Sequence, residues 1–546
     1  MDQSKTRAQE YFLNQLSKLD KEQRIRFESH KLYPLFYPGS IALVGVSSNI
    51  NYGAASFMEA FKSMHYPEFG NLYPINPKHA GKELHGFMCY DSLASLPESP
   101  DYILYGLPAD MAPGLIEQAI QIEAKFVIMF TSGFGEISTD KGRNLNNKIL
   151  SILDSNENND GKGGKKTRII GPNCLGIYNP SGGLSFFQNQ CDNMYGGISI
   201  ISQSGGQGEL IINYFTQREH YVRMCASVGN IIDIGFSEIL DFYGADPFTK
   251  AIGCYMEGFN ASEGKRLITQ LKILANEKPV LIWKTGKMKE AITAISSHTG
   301  ALAGDAKVFE GAMRQAGVVI THSMESLFDS ASAILLSSAQ KNNGCPQSIN
   351  ESGTDSFQKI TQNILKPSIN GRQGVGIVVS GGGFSVDTID TFSFHGITKA
   401  DLSKDTINNI AKIIPDINTF IVNPVDIGDK GYTPEIYHRA LELCAADKNV
   451  NLIVSAREVE RFAAFGDWLD NDDIAKNIID AIKQVQEKYK KPILLIVPEV
   501  QLDIDSFKDR QRFIRMLKKI NTPSFPTVER AAIAAKALIF QMQKEA

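Results

Sequence analysis

Three times along the chain a short apolar run ends in a glycine-rich turn and passes directly into a pattern with helical spacing. The three starts are IALVGVSSNINYGAASFMEAF from residue 41, ISIISQSGGQGELIINYF from 198 and VGIVVSGGGFSVDTIDTF from 375. A β-branched run that turns on glycines into a helix is how a parallel α/β domain opens. In the first block NLYPIN, YILYGL and FVIMFT follow at intervals filled by helix-like segments, which predicts a doubly wound sheet. The second block repeats the arrangement with MCASVG, AIGCYME and PVLIWKTG, and the third with LIVSAR and ILLIVP. The expected fold class is α/β, a Rossmann-like domain followed by two flavodoxin-like domains.

Two stretches poor in apolar residues divide these blocks. SNENNDGKGGKKT at 155–167 reads as an exposed loop, and SSAQKNNGCPQSINESGTDSF at 337–357 as an interdomain linker. The N-terminal stretch alternates apolar and charged residues at helical spacing and lacks the apolar centre of a signal peptide. The expected organisation is an N-terminal helical extension over 1–35, a first domain over 36–180, a second over 190–336, a linker over 337–370 and a third domain over 371–546.

A chain of 546 residues, 43% hydrophobic and 21% charged, has ample material for several cores. Its formal net charge of −4 argues against a surface that neutralises nucleic acid or lies on an acidic membrane. Seven cysteines without a CxxC spacing fit reduced thiols, so no metal site is expected and a cytoplasmic location is. No run reaches the roughly 20 apolar residues of a membrane helix.

In a doubly wound sheet, ligands sit beyond the carboxyl ends of the strands, where glycines let backbone amides approach a phosphate and the next helix offers its positive end. VGVSSNINYG meets that description without reproducing GxGxxG, and the second strand ends in Asn76, Pro77 and Lys78 where a dehydrogenase would place an acidic residue. A lysine there suits a phosphorylated adenosine, although a plain turn with an exposed lysine stands beside that reading. The loop SQSGGQGE, with Ser202, Ser204, Gly205 and Gly206, reads as a compact anion cradle, and SGGGFS from Ser380 has similar chemistry, with a structural turn as the equal alternative for either loop taken alone.

Of nine histidines, His30, His65, His79 and His85 sit in ordinary helix or loop contexts. His298 differs: small and hydroxyl residues surround it in ISSHTGALAGD, and a helical pattern follows. An imidazole accepts a phosphoryl group when a carboxylate holds one nitrogen protonated and leaves the other free to attack. Glu257, at the end of AIGCYME, is the candidate carboxylate, with a glutamate that merely fixes a turn beside Gly258 as the alternative.

Taken in order, VGVSSNINYG, YPINPKHAGKELHG, GPNCLGIYNP, ISIISQSGGQGE, YMEGF, SSHTGALAGD and SGGG followed by NPVDIG resemble the alpha subunit of ADP-forming acetyl-CoA synthetases. That family belongs with succinyl-CoA synthetase among the NDP-forming acyl-CoA synthetases, and the resemblance spans about residues 35 to 535. It implies a CoA-binding first domain with Gly45, Ser47, Gly53, Asn76, Lys78 and Pro108 at the cofactor, and two succinyl-CoA synthetase-like flavodoxin domains. It implies that Asn173, Cys174, Ser202, Ser204, Gly205, Gly206, Ser297, Thr299 and Gly300 meet acyl-CoA and phosphate. His298 matches the phosphorylated histidine and Glu257 the residue that orients it. Phe134, Phe186 and Phe187 are candidates for contact with the acyl group. After the third block only the helical ERAAIAAKALIFQMQKEA remains, so the ATP-grasp domain, with ADP or ATP and Mg2+, is expected on a separate beta subunit of a hetero-oligomer. A noncatalytic CoA-sensing scaffold of the same fold is the competing reading, and an intact His298 and Glu257 pair argues against it.

Overall fold

Strand β1 (Ser40–Val44) is buried at all five positions, and its alternate residues serve two different cores. Ile41 and Leu43 join one apolar cluster, Ala42 and Val44 another. A strand covered on both faces is what a parallel sheet flanked by helices requires. The computed structural model describes residues 7–51, 53–68, 70–137, 139–155, 167–190, 194–258, 261–288, 306–341, 374–414, 420–468 and 473–545. They fall into two units, Met1–Met324 and Glu325–Ala546.

The first sheet of the first unit continues with β2 (Asn71–Ile75), β5 (Tyr102–Tyr105), β6 (Phe126–Met129) and β7 (Arg168–Ile170). Its order is β2-β1-β5-β6-β7, all parallel, while β3 (Glu83–Leu84) and β4 (Phe87–Met88) form a small antiparallel ribbon after β2. The second sheet comprises β8 (Gly176–Tyr178), β9 (Ile198–Ser202), β10 (Val222–Ser227), β11 (Ala251–Met256), β12 (Val280–Lys284) and β13 (Val319–Thr321), ordered β13-β12-β11-β9-β10-β8. Every pair in it is parallel except β8 with β10. The chain therefore leaves the first sheet at β7 and joins the second one before residue 180. Each apolar run expected to be a strand in this unit is one; the three-residue β7, β8 and β13 are additional.

The two sheets of this unit share a core that runs from Ile41 and Leu43 through Cys174 and Ile177 to Ile201 and Ile282. Arg168 of β7 locks them together with a bidentate contact to Asp233 at 2.8 and 3.0 Å and another to Glu238 at 3.0 and 2.8 Å. The N-terminal extension forms the helices Arg7–Ser17 and Lys21–Glu28. Phe12, Leu16 and Phe27 are buried in the same core, and the Phe27 ring stacks on Phe242 with centroids 5.6 Å apart.

In the second unit β14 (Gly374–Val379), β15 (Val425–Asp426), β16 (Val450–Ala456), β17 (Ile493–Ile496) and β18 (Ser524–Phe525) form a parallel sheet ordered β15-β14-β16-β17-β18. Its core gathers Val378, Ile453, Ile493 and Leu495 with helix residues such as Tyr437, Ile478, Ile482 and Phe513. The helix Met324–Lys341 carries the start of the polar stretch, so SSAQK is helical.

Candidate functional site

β2 and β5 lie on opposite sides of β1, so the crevice beyond the end of β1 is a topological switch point. There the chain turns through Gly45, at φ +92°, where a Cβ would fall 2.8 Å from the Leu107 side chain. Gly53, at φ +59°, opens the helix Ala54–Ser63 without a side-chain cap, and a Cβ there would meet nothing within 4 Å. Gly106, at the end of β5, comes so close that its own Cβ would lie 3.1 Å from the Ala54 amide nitrogen. Two strand ends and an uncapped helix N-terminus thus converge on open space, which fits an anionic, phosphate-bearing ligand such as CoA.

Side chains around this turn hold its shape. Asn76 donates from Nδ2 to the Val46 carbonyl at 2.7 Å and accepts the Lys78 amide on Oδ1 at 3.0 Å, leaving the Lys78 ammonium exposed. Ser47 Oγ accepts from the Asn49 amide at 3.3 Å. His85, an ordinary loop histidine by sequence, places Nε2 2.7 Å from the Ser47 carbonyl and so donates to it. Pro108 is exposed after β5, and its carbonyl accepts the Tyr105 hydroxyl.

A second cluster forms where the end of β6, the turn before β8 and the ends of β9 and β10 meet. Asn173, at φ +59°, donates its amide to the Thr131 carbonyl at 3.0 Å. Gly229 packs so tightly here that a Cβ would fall 2.1 Å from the Pro172 carbonyl oxygen. Glu136 accepts from the amides of Gly133 and Phe134 and from Asn230 Nδ2 at 2.5 Å, which ties the loop after β6 to the loop after β10. The Cys174 thiol is buried, donates to the Met129 carbonyl at 3.5 Å and is pushed up to about 12 by burial, so it stays protonated and packs. Ser202 Oγ donates to the Ser204 carbonyl at 2.6 Å, and Ser204 caps the helix Gly205–Thr216 by accepting the Gln207 amide. Gly205 leans on Leu175 and Gly206 opens to solvent, so among the described residues this helix N-terminus presents free amides beside Leu175. Of the three phenylalanines, Phe134 and Phe186 are wholly buried and Phe187 is partly exposed.

Glu257 follows β11 directly and is buried, with Oε1 accepting the Tyr255 hydroxyl at 3.3 Å. Its backbone amide and that of Gly258 both donate to Gln203 Oε1, at 2.8 and 3.1 Å. On the far side the Lys284 ammonium donates to the Glu257 carbonyl at 2.8 Å and to the Thr285 carbonyl. Burial lowers Lys284 to about 8 and raises Tyr255 to about 12. The Glu257 peptide is thereby tied to the same loop that offers the helix N-terminus.

Ser297, His298, Thr299 and Gly300 lie outside the described residues. The two flanks of that segment are tied by an ion pair, Lys287 Nζ to Glu310 Oε1 at 2.8 Å, with His322 Nδ1 at 3.1 Å from the same ammonium. Glu136, Asn230 and His85 belong to these sites although sequence reasoning assigned them no role, while Gln203 lies inside the SQSGG loop and Lys284 in the run PVLIWKTG.

Comparison with known proteins gives these two sites their context. Residues 39–180 match the family model of a CoA binding domain, and residues 195–334 that of a succinyl-CoA ligase like flavodoxin domain. The alpha subunit of ADP-forming acetate–CoA ligase II of Pyrococcus furiosus is 27% identical over 93% of this chain and 97% of its own length. An ADP-forming acetate–CoA ligase of Methanocaldococcus jannaschii is 30% identical over 74% of this chain, which spans 50% of that longer protein. The solved dinucleotide-forming acetyl-coenzyme A synthetase 1 of Candidatus Korarchaeum cryptofilum, in complex with phosphate and ADP, superposes with a TM-score of 0.73 at 25% identity, covering 94% of this chain and 97% of that one. A CoA-binding domain followed by a succinyl-CoA ligase-like flavodoxin domain defines the class, the succinyl-CoA synthetase superfamily. Within it, the chain belongs to the NDP-forming acyl-CoA synthetases, with their alpha subunits.

Proposed function

We propose that this chain carries the CoA-binding and phosphohistidine half of an acyl-CoA synthetase that interconverts acyl-CoA, phosphate and ADP with a carboxylic acid, CoA and ATP. A phosphate oxygen attacks the thioester carbonyl, the C–S bond breaks, and CoA leaves from its place at the end of β1. The acyl phosphate is then attacked at phosphorus by a nitrogen of His298; the bond from phosphorus to the acyl oxygen breaks and the carboxylate departs. Glu257 holds the other imidazole nitrogen protonated and offsets the positive charge that grows on the ring. The amides of the helix Gly205–Thr216 face the anion through both steps. An ADP oxygen finally takes the phosphoryl group from histidine on an ATP-grasp beta subunit, which holds the nucleotide and Mg2+. Relatives named as alpha subunits support that separate partner.

The observation that carries this reading is the hydrogen bond from the Glu257 amide to Gln203 Oε1 at 2.8 Å, because it ties the peptide that bears a buried carboxylate to the loop that opens the helix Gly205–Thr216. The test is the intact mass of the purified chain, wild type and His298→Ala, after incubation with phosphate and a panel of acyl-CoAs at neutral to alkaline pH, since phosphohistidine is acid labile. A phosphoryl increment in the wild type alone is expected, and the thioester that yields it names the acyl class. No increment with any thioester, while CoA still binds, would favour a CoA-sensing scaffold.

A further inference from the structure

Strands β9, β11 and β12 are adjacent, and their regular pairing stops at Tyr255↔Ser202 on one side of β11 and Met256↔Lys284 on the other. Beyond that line the sheet no longer supplies partners for the backbone of residues 257 and 258. Two side chains take over. Gln203, 4% exposed, turns its amide oxygen to the N–H groups of Glu257 and Gly258, an assignment fixed by the fact that both neighbours are donors. Lys284, 7% exposed, brings its ammonium to the Glu257 carbonyl. The Glu257 peptide is thus held at its N–H from β9 and at its C=O from β12, while Tyr255 Oη meets the carboxylate at 3.3 Å.

Burying an ammonium against two carbonyls is a costly way to end a strand even with the Glu257 charge nearby, since a solvated turn would satisfy the same groups without desolvating a charge. The unfavourable setting is visible in Lys284 itself, which burial lowers to about 8. Gln203 also sits between Ser202 and Ser204, so the residue that grips the Glu257 amide is part of the anion loop.

We infer that Gln203 and Lys284 are positioning residues of the phosphoryl-transfer site, which together fix the Glu257 carboxylate relative to the anion-binding loop. This rests on the reading of Glu257 and His298 given above. Lys284 acts on the transfer to histidine and not on the attack at the thioester, which involves neither Glu257 nor His298, whereas Gln203, as part of the anion loop, faces both steps.

Two half reactions separate these effects. Arsenate in place of phosphate gives an acyl arsenate that hydrolyses, so arsenate-dependent release of CoA from acyl-CoA reports thioester attack without histidine. Acyl phosphate added directly to the full chain, with the phosphoryl group counted by intact mass, reports the histidine step. In Gln203→Met and Lys284→Met the histidine step falls by about tenfold to a hundredfold, because the carboxylate loses its geometry; in Lys284→Met arsenolysis and its KM for acyl-CoA change less than threefold. Lys284→Arg, which keeps the donors, recovers most of the lost rate. If both half reactions fall together in Lys284→Met, or the histidine step falls in neither variant, or Lys284→Arg is as slow as Lys284→Met, the positioning assignment is wrong. If the wild type shows neither half reaction with any acyl group, the proposed function itself is overturned and this inference with it.

Discussion

Replacing Arg223 by methionine tests how the N-terminal extension and the second sheet are held as one body. The Arg223 and Asp246 side chains are both 0% exposed, with Nε 3.2 Å from Oδ2. The guanidinium also donates to Ser181 Oγ at 2.5 Å and to the Tyr37 hydroxyl at 2.6 Å, and lies 4.7 Å from the Tyr195 ring centroid and 5.1 Å from that of Phe12. Methionine fills similar volume, so the cavity contribution is small. What remains is a buried carboxylate that has lost its hydrogen-bonded cation, with Lys250 and Lys278 still close enough to interact with it; losing one partner costs about 3–5 kcal/mol in comparable buried pairs. Asp246 keeps two donors, the Thr249 hydroxyl at 2.7 Å and the Phe248 amide at 3.2 Å, which places the expectation near about 3 kcal/mol. Urea unfolding followed by tryptophan fluorescence measures it in a Trp468→Phe background, where Trp283 of β12 is the remaining tryptophan and reports the first unit alone. Adding Asp246→Asn to Arg223→Met removes the stranded charge and recovers at least half of the loss. A single-mutant cost below about 1 kcal/mol, or a double mutant no more stable than Arg223→Met, would refute the view that an uncompensated buried charge dominates.

Glu257→Gln keeps the side-chain shape and the Gln203 and Lys284 contacts to the backbone but removes the charge, so histidine phosphorylation slows by roughly two to four orders of magnitude. A single-turnover rate within threefold of the wild type would assign the orienting role elsewhere. Lys284 predicts a pH dependence of stability. Its folded pKa is lowered from 10.5 to about 8, so between those values the unfolded chain binds a proton that the folded chain does not, and stability rises with pH across that window. The stability difference between the wild type and Lys284→Met, from urea unfolding at about pH 7.5, 9 and 10.5, therefore shifts in favour of the wild type as pH rises. A constant or falling difference would contradict the buried, charged lysine.

The strands were legible because each parallel strand buried on both faces needs a run of β-branched or aromatic residues, and IALVGV or PVLIWKTG has no other good use. The glycine turns were legible too, since Gly45 and Gly53 take positive φ that side chains resist. Strands of two or three residues were not, because GIY or VIT is too short to show a period; β8 is a strand only because β10 offers it an edge. The same division runs through the site. Glu257 was findable because it ends a strand beside a glycine, yet its grip depends on Gln203, 54 residues away, and Lys284, 27 residues away. Neither residue signals by its type that it will hold a distant peptide, since a glutamine in a serine-glycine loop and a lysine after an apolar run look like solvated polar residues. Arg223 and Asp246 are hidden in the same manner, since 23 residues separate them and only the closure of the sheet removes both from water. Local pattern thus specifies which elements form and where ligand-binding turns must fall. The polar contacts that aim one carboxylate arise only when three strand ends meet, and it is there that further determinants of the chemistry are to be sought.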